Sequence, residues 1–307
     1  MQMYIKPKTF TEALQVASQH ADDFTYLAGG TDVWVNRFQG NNRARCVIDI
    51  SHILEMQKVT VEGQTLIIGS LLKLDRLAQF PAIRKNFPVL IEAARAVGSP
   101  LIRKMGTIGG NILCENRCIF YNQSEFWREA ANYCLKSGGD RCIATGGTKA
   151  CFSEFVSDTA PALISLNAKV EIVDTMGTKV SPLEDIYTGD GLTPRNLSKT
   201  AIIKSILLPL NQVSQSVFKK LRPRNSMDFT SLTTAVSLYR DGRLKIALAG
   251  VSPGPVVING SIQDTKEDLI KIALKESKTV DNDYYSRTYR RKMIRTFLLQ
   301  SFKELGL

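Results

Sequence analysis

Five of the six cysteines fall in one stretch of the chain, Cys114, Cys118, Cys134, Cys142 and Cys151. The sixth, Cys46, stands in an apolar run, where a thiol reads as a small hydrophobe. Thiolates converging from a segment too polar to order by burial are what a zinc ion or an iron–sulfur cluster needs, because ligation supplies the ordering free energy. The steps from 118 to 134, 134 to 142 and 142 to 151 are 16, 8 and 9 positions. Structural zinc sites usually draw on close cysteine pairs; these four contain none, although Cys114 and Cys118 would make one. The residues alone leave zinc, an iron–sulfur cluster and unliganded reduced thiols open. With only His20 and His52 present, histidine acid–base chemistry recedes behind redox and binding roles.

Two glycine pairs precede or open that stretch, Leu27-Ala28-Gly29-Gly30-Thr31-Asp32 and Thr107-Ile108-Gly109-Gly110-Asn111. Adjacent glycines let backbone N–H groups come close to an anionic ligand, and Thr and Asn add hydrogen-bonding groups suited to phosphate or ribityl oxygens. Neither pair is a Rossmann or P-loop fingerprint, and a plain turn is the ordinary use of either one taken singly.

The elements that must position these residues are legible in outline. Thr9 to Glu12 has capping-box spacing before an amphipathic helix ending near Gln19. Phe24–Leu27, Arg45–Ile50 and Thr65–Ile68 read as short strands, and Ala82–Val97 as one helix with Gly98 as its cap. Residues 111–157 show no sustained period, which in a compact domain marks a functional or disordered segment. Lys169–Val173, Ala201–Leu208, Ser216–Leu221 and Thr233–Arg240 read as strands, with Asp241-Gly242 as a hairpin turn into Leu244–Val251. Two helices, Lys266–Glu276 and Ser286–Leu305, close the chain, and strands followed by helices predict an α+β second domain. The softer stretch Ser181–Ser198 is the expected boundary.

Hydrophobic residues at 44% and charged residues at 22% exclude wholesale disorder. No apolar run approaches the ~18 residues of a membrane span, and Met1–Phe10 lacks a signal-peptide core, so the expected location is cytoplasmic. A net charge of +11 favours an acidic partner. A zinc-stabilised nucleic-acid-binding protein would use that charge, but no recognisable module accompanies the basic C-terminal helix, so nucleic acid is not an expected partner.

Taken in order, the two glycine motifs resemble those of the flavin-binding subunit of the xanthine oxidase (molybdenum hydroxylase) family, where they grip the FAD pyrophosphate. Asp158-Thr159-Ala160-Pro161-Ala162-Leu163 resembles that family's segment whose Asp contacts the flavin side chain, and Tyr289-Arg290-Arg291 is similar to a motif of its C-terminal domain. The resemblance covers essentially the whole chain. It implies an α+β fold with a two-lobed FAD-binding domain of the vanillyl-alcohol-oxidase/xanthine-oxidase type over residues 1–180, then a C-terminal α+β domain over 181–307.

Here Asp158 lies 47 positions beyond Asn111, where most relatives have a short connection without cysteines. That insertion, about 112–157, resembles the β subunit of 4-hydroxybenzoyl-CoA reductase, including the 16, 8 and 9 offsets. The resemblance implies a 4Fe–4S cluster on Cys118, Cys134, Cys142 and Cys151, with Cys114 left over, and FAD held by residues 27–32, 107–111 and Asp158.

It further implies an electron relay without a catalytic residue of its own. The relay would sit in a dimerised heterotrimer with a molybdenum–pterin subunit and a 2Fe–2S subunit. In the reductase, electrons pass from a ferredoxin through the 4Fe–4S cluster and FAD to molybdenum and remove an aromatic hydroxyl. The rival within the family is an oxidative hydroxylase or aldehyde dehydrogenase that passes electrons outward. Lys136, Arg141 and Lys149 lie near the ligands in sequence, where positive charge would ease reduction of an anionic cluster.

Overall fold

The computed structural model describes residues 3–20 and 23–307, and three sheets are present among them. The first is parallel: β1 (Met3–Ile5), β2 (Phe24–Leu27) and β3 (Cys46–Asp49) lie in the order β1-β3-β2. The helix Phe10–Gln19 covers it with Ala13, Leu14 and Ala17, all buried on one helical face. Its entry is capped as the spacing predicts: the Glu12 N–H donates to Thr9 Oγ1 at 3.1 Å, while the Glu12 carboxylate accepts from the Lys8 N–H at 2.7 Å.

The second sheet is antiparallel throughout. It contains β4 (Val59–Glu62), β5 (Thr65–Gly69), β6 (Lys169–Asp174), β7 (Gly177–Pro182) and β8 (Ile202–Pro209), in the order β4-β5-β8-β6-β7. β8 therefore pairs with strands from both sides of the cysteine-bearing stretch. The segment Ser181–Ser198 connects two strands of this one sheet, and the change of sheet falls between Pro209 and Val213 rather than at residue 181. Proline and glycine mark the loop there, but the buried run Ile202–Leu208 needs β5 and β6 as partners and so stays with them.

The third sheet holds β9 (Val213–Leu221), β10 (Leu232–Tyr239), β11 (Arg243–Ala249) and β12 (Val256–Ser261), in the order β12-β11-β10-β9. It is buried on both faces. Ala235, Ala247 and Ala249 point into the core shared with the second sheet, and the alternate residues Val236, Ile246 and Leu248 meet the closing helices Lys266–Glu276 and Arg287–Glu304. The small alanines leave room for the helix Thr159–Ser165, all seven residues of which are buried. The Asp241-Gly242 turn joins β10 to β11, with Gly242 at φ +84°.

The single helix expected over Ala82–Val97 is two, Pro81–Asn86 and Pro88–Arg95. Pro88 has no N–H to donate and forces Phe87 out of the helical region, so the chain breaks there and starts again with proline in the first turn. Residues 111–157 also carry more order than expected, with a helix over Glu125–Ala130 and a 3₁₀ turn over Leu135–Ser137. Among the described residues no helix is long and apolar enough to cross a membrane.

Candidate functional site

The two glycine motifs meet at one cleft of about 670 Å³, bordered also by Ser70, Leu71 and the start of β8. The first motif leaves the end of β2 and enters the short helix Val33–Phe38. The second is itself a helical turn, Ile108–Ile112, with Thr107 Oγ1 accepting from the Gly110 N–H at 3.0 Å.

The glycines do different jobs. A Cβ on Gly29 would sit 2.1 Å from the Met105 carbonyl oxygen, and one on Gly109 would sit 2.7 Å from Ser70 Cβ, so both permit backbone segments to pack together. Gly30 takes φ +74°, and Gly110 is exposed at the cleft. Ala28, Gly29, Gly30, Thr31, Asp32, Thr107, Gly109 and Gly110 border the cleft.

The remaining residues named from the motifs lie elsewhere. Leu27 and Ile108 are buried in the packing beneath. Asn111 uses its side-chain oxygen on Ser157 and Thr159, at 2.6 to 3.1 Å, and so holds the entry to the buried helix. Asp158 is not on the cleft wall; it is buried in an ion pair with Lys220 at 2.6 Å and also accepts from Thr233 Oγ1 at 3.3 Å. Burial raises the Asp158 carboxyl and lowers the Lys220 ammonium, each opposed by the attraction of the other.

Sequence reasoning missed several walls of the cleft. Asn36, one turn into the helix after Asp32, is 5% exposed; its amide donates to the Asp32 carbonyl at 3.0 Å, and its Oδ1 has no partner. A buried acceptor without a donor beside a cleft fits a ligand N–H or hydroxyl. Glu115 and Tyr121, both from the cysteine-bearing stretch, also border the cleft. Asp32 ties that stretch to the first glycine loop: it is ion-paired with Arg117 and accepts from the Glu115 N–H at 2.9 Å.

The cysteine excursion begins and ends at one place, because Arg117 and Glu154 form an antiparallel bridge with N–H to O distances of 2.9 and 2.7 Å. Cys118, Cys134, Cys142 and Cys151 all front a second, small cavity, along with Phe120, Tyr121, Ile143 and Phe152. None is in a disulfide, and Cys134, Cys142 and Cys151 are buried. The space between them is about 10 Å³, room for about one water. Among the described residues no group of three or more His, Cys, Asp or Glu side chains is arranged to hold a metal ion. Burial pushes the Cys118 thiol up to about 12 and raises that of Cys151. Cys114 borders neither cavity; its thiol, also buried, rises to about 12.

The C-terminal residues brace this excursion. Asn282 lines the cysteine cavity and donates to the Phe152 carbonyl at 2.7 Å, and its own carbonyl accepts from the Ile119 N–H at 3.2 Å. Arg290 of the Tyr289-Arg290-Arg291 motif is fully buried, ion-paired with Glu154 and bonded to the Gly250 carbonyl at 2.8 Å. Asn116 reaches the carbonyls of Ser153 and Pro253 at 3.0 and 2.7 Å. Lys136, whose side chain is 6% exposed, is paired with Glu115 at 2.7 Å. Burial works upward on Glu115, but Lys136 beside it outweighs burial and holds the carboxyl below its ordinary value.

A cleft walled by two glycine-bearing loops can seat a long polar cofactor, and four thiols front a smaller cavity beside it. Comparison with known proteins points to FAD binding. Residues 1–211 match the model of the FAD-binding domain in molybdopterin dehydrogenase, a match that stops where the third sheet begins. The chain is 28% identical over 252 residues to the nicotinate dehydrogenase FAD-subunit of Eubacterium barkeri, covering 81% of this chain and 70% of that protein. It is 29% identical over 262 residues to the aldehyde oxidoreductase FAD-binding subunit of Escherichia coli, covering 82% of each. Its fold is that of a chain in carbon monoxide dehydrogenase from Hydrogenophaga pseudoflava, with a TM-score of 0.77 at 18% identity over 98% of this chain and 96% of that one. Motifs, cleft and matches converge: the chain belongs to the family of FAD-binding domains of molybdopterin dehydrogenases, and it is an oxidoreductase subunit.

Proposed function

We propose that this chain is the electron-transfer subunit of a molybdenum hydroxylase-type complex, carrying FAD in the large cleft and a 4Fe–4S cluster on Cys118, Cys134, Cys142 and Cys151. The observation that carries the reading is the convergence of four cysteines, spread over 34 positions of irregular chain, on one cavity next to the cleft. The donor set suits an iron–sulfur cluster: four thiols, apolar neighbours and no histidine. The space between the thiols is small, so loading requires them to move apart.

FAD exchanges electrons singly or in pairs and the cluster one at a time, so together they would relay rather than transform a substrate. The chain's own contribution is to hold the ligand between the Gly30 and Gly110 loops, to offer Asn36 Oδ1 as acceptor and to keep water from the thiols. Thr31 and Thr107 are the hydroxyl donors nearest the glycine N–H groups. Asp158 would act at a distance, by fixing the entry of the buried helix below the cleft. The division of the chain into an FAD-binding part and a C-terminal part belongs to the same reading, with the second part bracing the thiol-bearing excursion.

The relatives named as subunits support partner chains, the molybdopterin named for the family supports a molybdenum–pterin centre on one of them, and the names dehydrogenase and oxidoreductase support electron flow outward from substrate; a 2Fe–2S subunit completes the reading. A second reading, reductive flow from a ferredoxin as in 4-hydroxybenzoyl-CoA reductase, is supported by the cysteine offsets. Turnover of the purified complex with an oxidised dye acceptor, compared with turnover from dithionite-reduced dye, decides between the two directions. For the cofactors, anaerobic absorbance with iron and acid-labile sulfide analysis is expected to give one flavin per copy of this chain and four irons beyond those of the partner's 2Fe–2S centres. Cys134→Ser should lose those four irons and keep the flavin; full iron retention overturns the ligand set.

A further inference from the structure

Tyr121 belongs to both cavities. It lines the large cleft and also the four-thiol cavity, and it is buried. Two cations lie near its ring. Lys136, which fronts the thiol cavity, lies 5.2 Å from the ring centroid, and the Arg128 guanidinium lies 5.9 Å from it. Lys136 is in turn anchored by Glu115, a residue of the cleft wall, at 2.7 Å and by the Gly191 carbonyl at 2.5 Å. Gly191 packs so closely on the excursion that a Cβ there would lie 2.6 Å from the Cys151 carbonyl oxygen. Backbone bonds complete the frame: the Tyr121 and Asn122 N–H groups both donate to the Cys118 carbonyl, at 3.0 and 2.9 Å, so the ring follows directly from a proposed ligand.

We propose that Tyr121 is the partition through which electrons pass between the two cavities, a positioning residue that couples the cluster to the flavin. The inference rests on the cofactor assignment above. In each passage one centre gives up one electron and the other gains it, whichever way the complex runs; the ring itself is neither oxidised nor reduced and supplies only packed, bonded atoms between donor and acceptor. Transfer through such atoms falls off less steeply than through a gap or solvent. A packed ring therefore serves, whereas its hydroxyl is dispensable. Residues that only fill space near a cofactor would not be framed by groups from both sites at once, as Tyr121 is by Glu115 and Lys136.

The test uses the complete complex, purified without oxygen, as wild type, Tyr121→Phe, Tyr121→Leu and Tyr121→Ala. Flavin, iron and sulfide contents are measured first. The rate of electron redistribution between cluster and flavin is then followed after flash photoreduction, and the microwave-power saturation of the flavin EPR signal reports the separation of the two centres. Tyr121→Phe is expected to redistribute at the wild-type rate. Tyr121→Leu and Tyr121→Ala are expected to slow by an order of magnitude or more, at wild-type contents and unchanged saturation. Wild-type rates in Tyr121→Leu or Tyr121→Ala overturn the coupling role while leaving the cofactor assignment standing. A slower rate accompanied by altered saturation also overturns it, since the ring would then act only by spacing the centres. Should Tyr121→Ala lose a cofactor, Tyr121→Leu decides alone. Wild-type complex with no iron and sulfide beyond what the partner's 2Fe–2S centres hold overturns the cofactor assignment itself.

Discussion

At the scale of single residues, the ammonium of Lys136 is the best-placed charge near the thiols. Of the three cations that the sequence places near the ligands, Arg141 and Lys149 are exposed, whereas Lys136 is enclosed and fronts the cavity. An exposed charge is screened by water and salt; an enclosed one is not. A cation this close stabilises the more negative, reduced state of a cluster. Replacing it by Lys136→Met should therefore shift the cluster potential downward by about 60 mV, the one-electron equivalent of a ~1.4 kcal/mol interaction. Arg141→Met and Lys149→Met should leave it nearly unchanged. Redox titration monitored by EPR compares the three. Equal shifts in all of them would show that the charge acts through bulk field rather than through place.

At the scale of elements, the two glycine pairs look alike in sequence and differ in what they tolerate. Gly29→Ala would drive a methyl against the backbone of Met105, which cannot yield without parting the two motif loops. Overpacking of this kind typically costs about 1–3 kcal/mol and disturbs the seam itself. Gly110→Ala has only the Thr107 hydroxyl within reach, at 2.9 Å, and should leave stability close to wild type while weakening flavin binding at the cleft. Thermal unfolding of the apoprotein and flavin titration separate the two effects. A Gly29→Ala protein as stable as wild type would contradict the packing role.

The same elements show what a sequence discloses. Apolar, β-branched runs and the Asp241-Gly242 turn located β9, β10 and β11, and both closing helices were legible too, whereas β12 was not, its Val256–Ile258 run being short and followed by polar Asn259-Gly260-Ser261. The break at Phe87 was equally readable from Pro88, had its missing N–H been weighed against the apolar face of Leu90, Ile91 and Ala94. The change of sheet at Leu210–Gln212 was not readable, since β8 carries the same apolar signal whichever sheet it joins. Of the cleft, the residues on glycine loops were legible from local chemistry. Ser70, Glu115 and Tyr121 border it only because distant segments come together, whereas Asn36, one turn beyond Asp32, could have been reached from the motif had Val33–Phe38 been read as a helix. Asp158 illustrates the converse: its motif is clear, but its side chain turns to Lys220 on β9.

At the scale of the whole molecule, the C-terminal part is joined to the excursion by a buried charge pair. Glu154 is wholly enclosed, and burial pushes its carboxyl up to about 8 against the pull of Arg290. A carboxyl raised in the folded state binds its proton more tightly there than in the unfolded chain. Its contribution to stability is thus fully present below its ordinary value near 4.5 and is lost as the pH rises through about 8. Wild-type protein should lose stability across that interval relative to Glu154→Gln, whose profile should be flatter. Denaturant unfolding at several pH values reads the difference, and parallel profiles would mean that Arg290 keeps the carboxyl ionised throughout.

The Arg117–Glu154 bridge carries one more implication. A stretch of three dozen residues that departs and returns across a single rung leaves its host with the same two ends whether it is present or not. Such an appendage can be gained, lost or exchanged without rewriting the strands and loops that wall the large cleft.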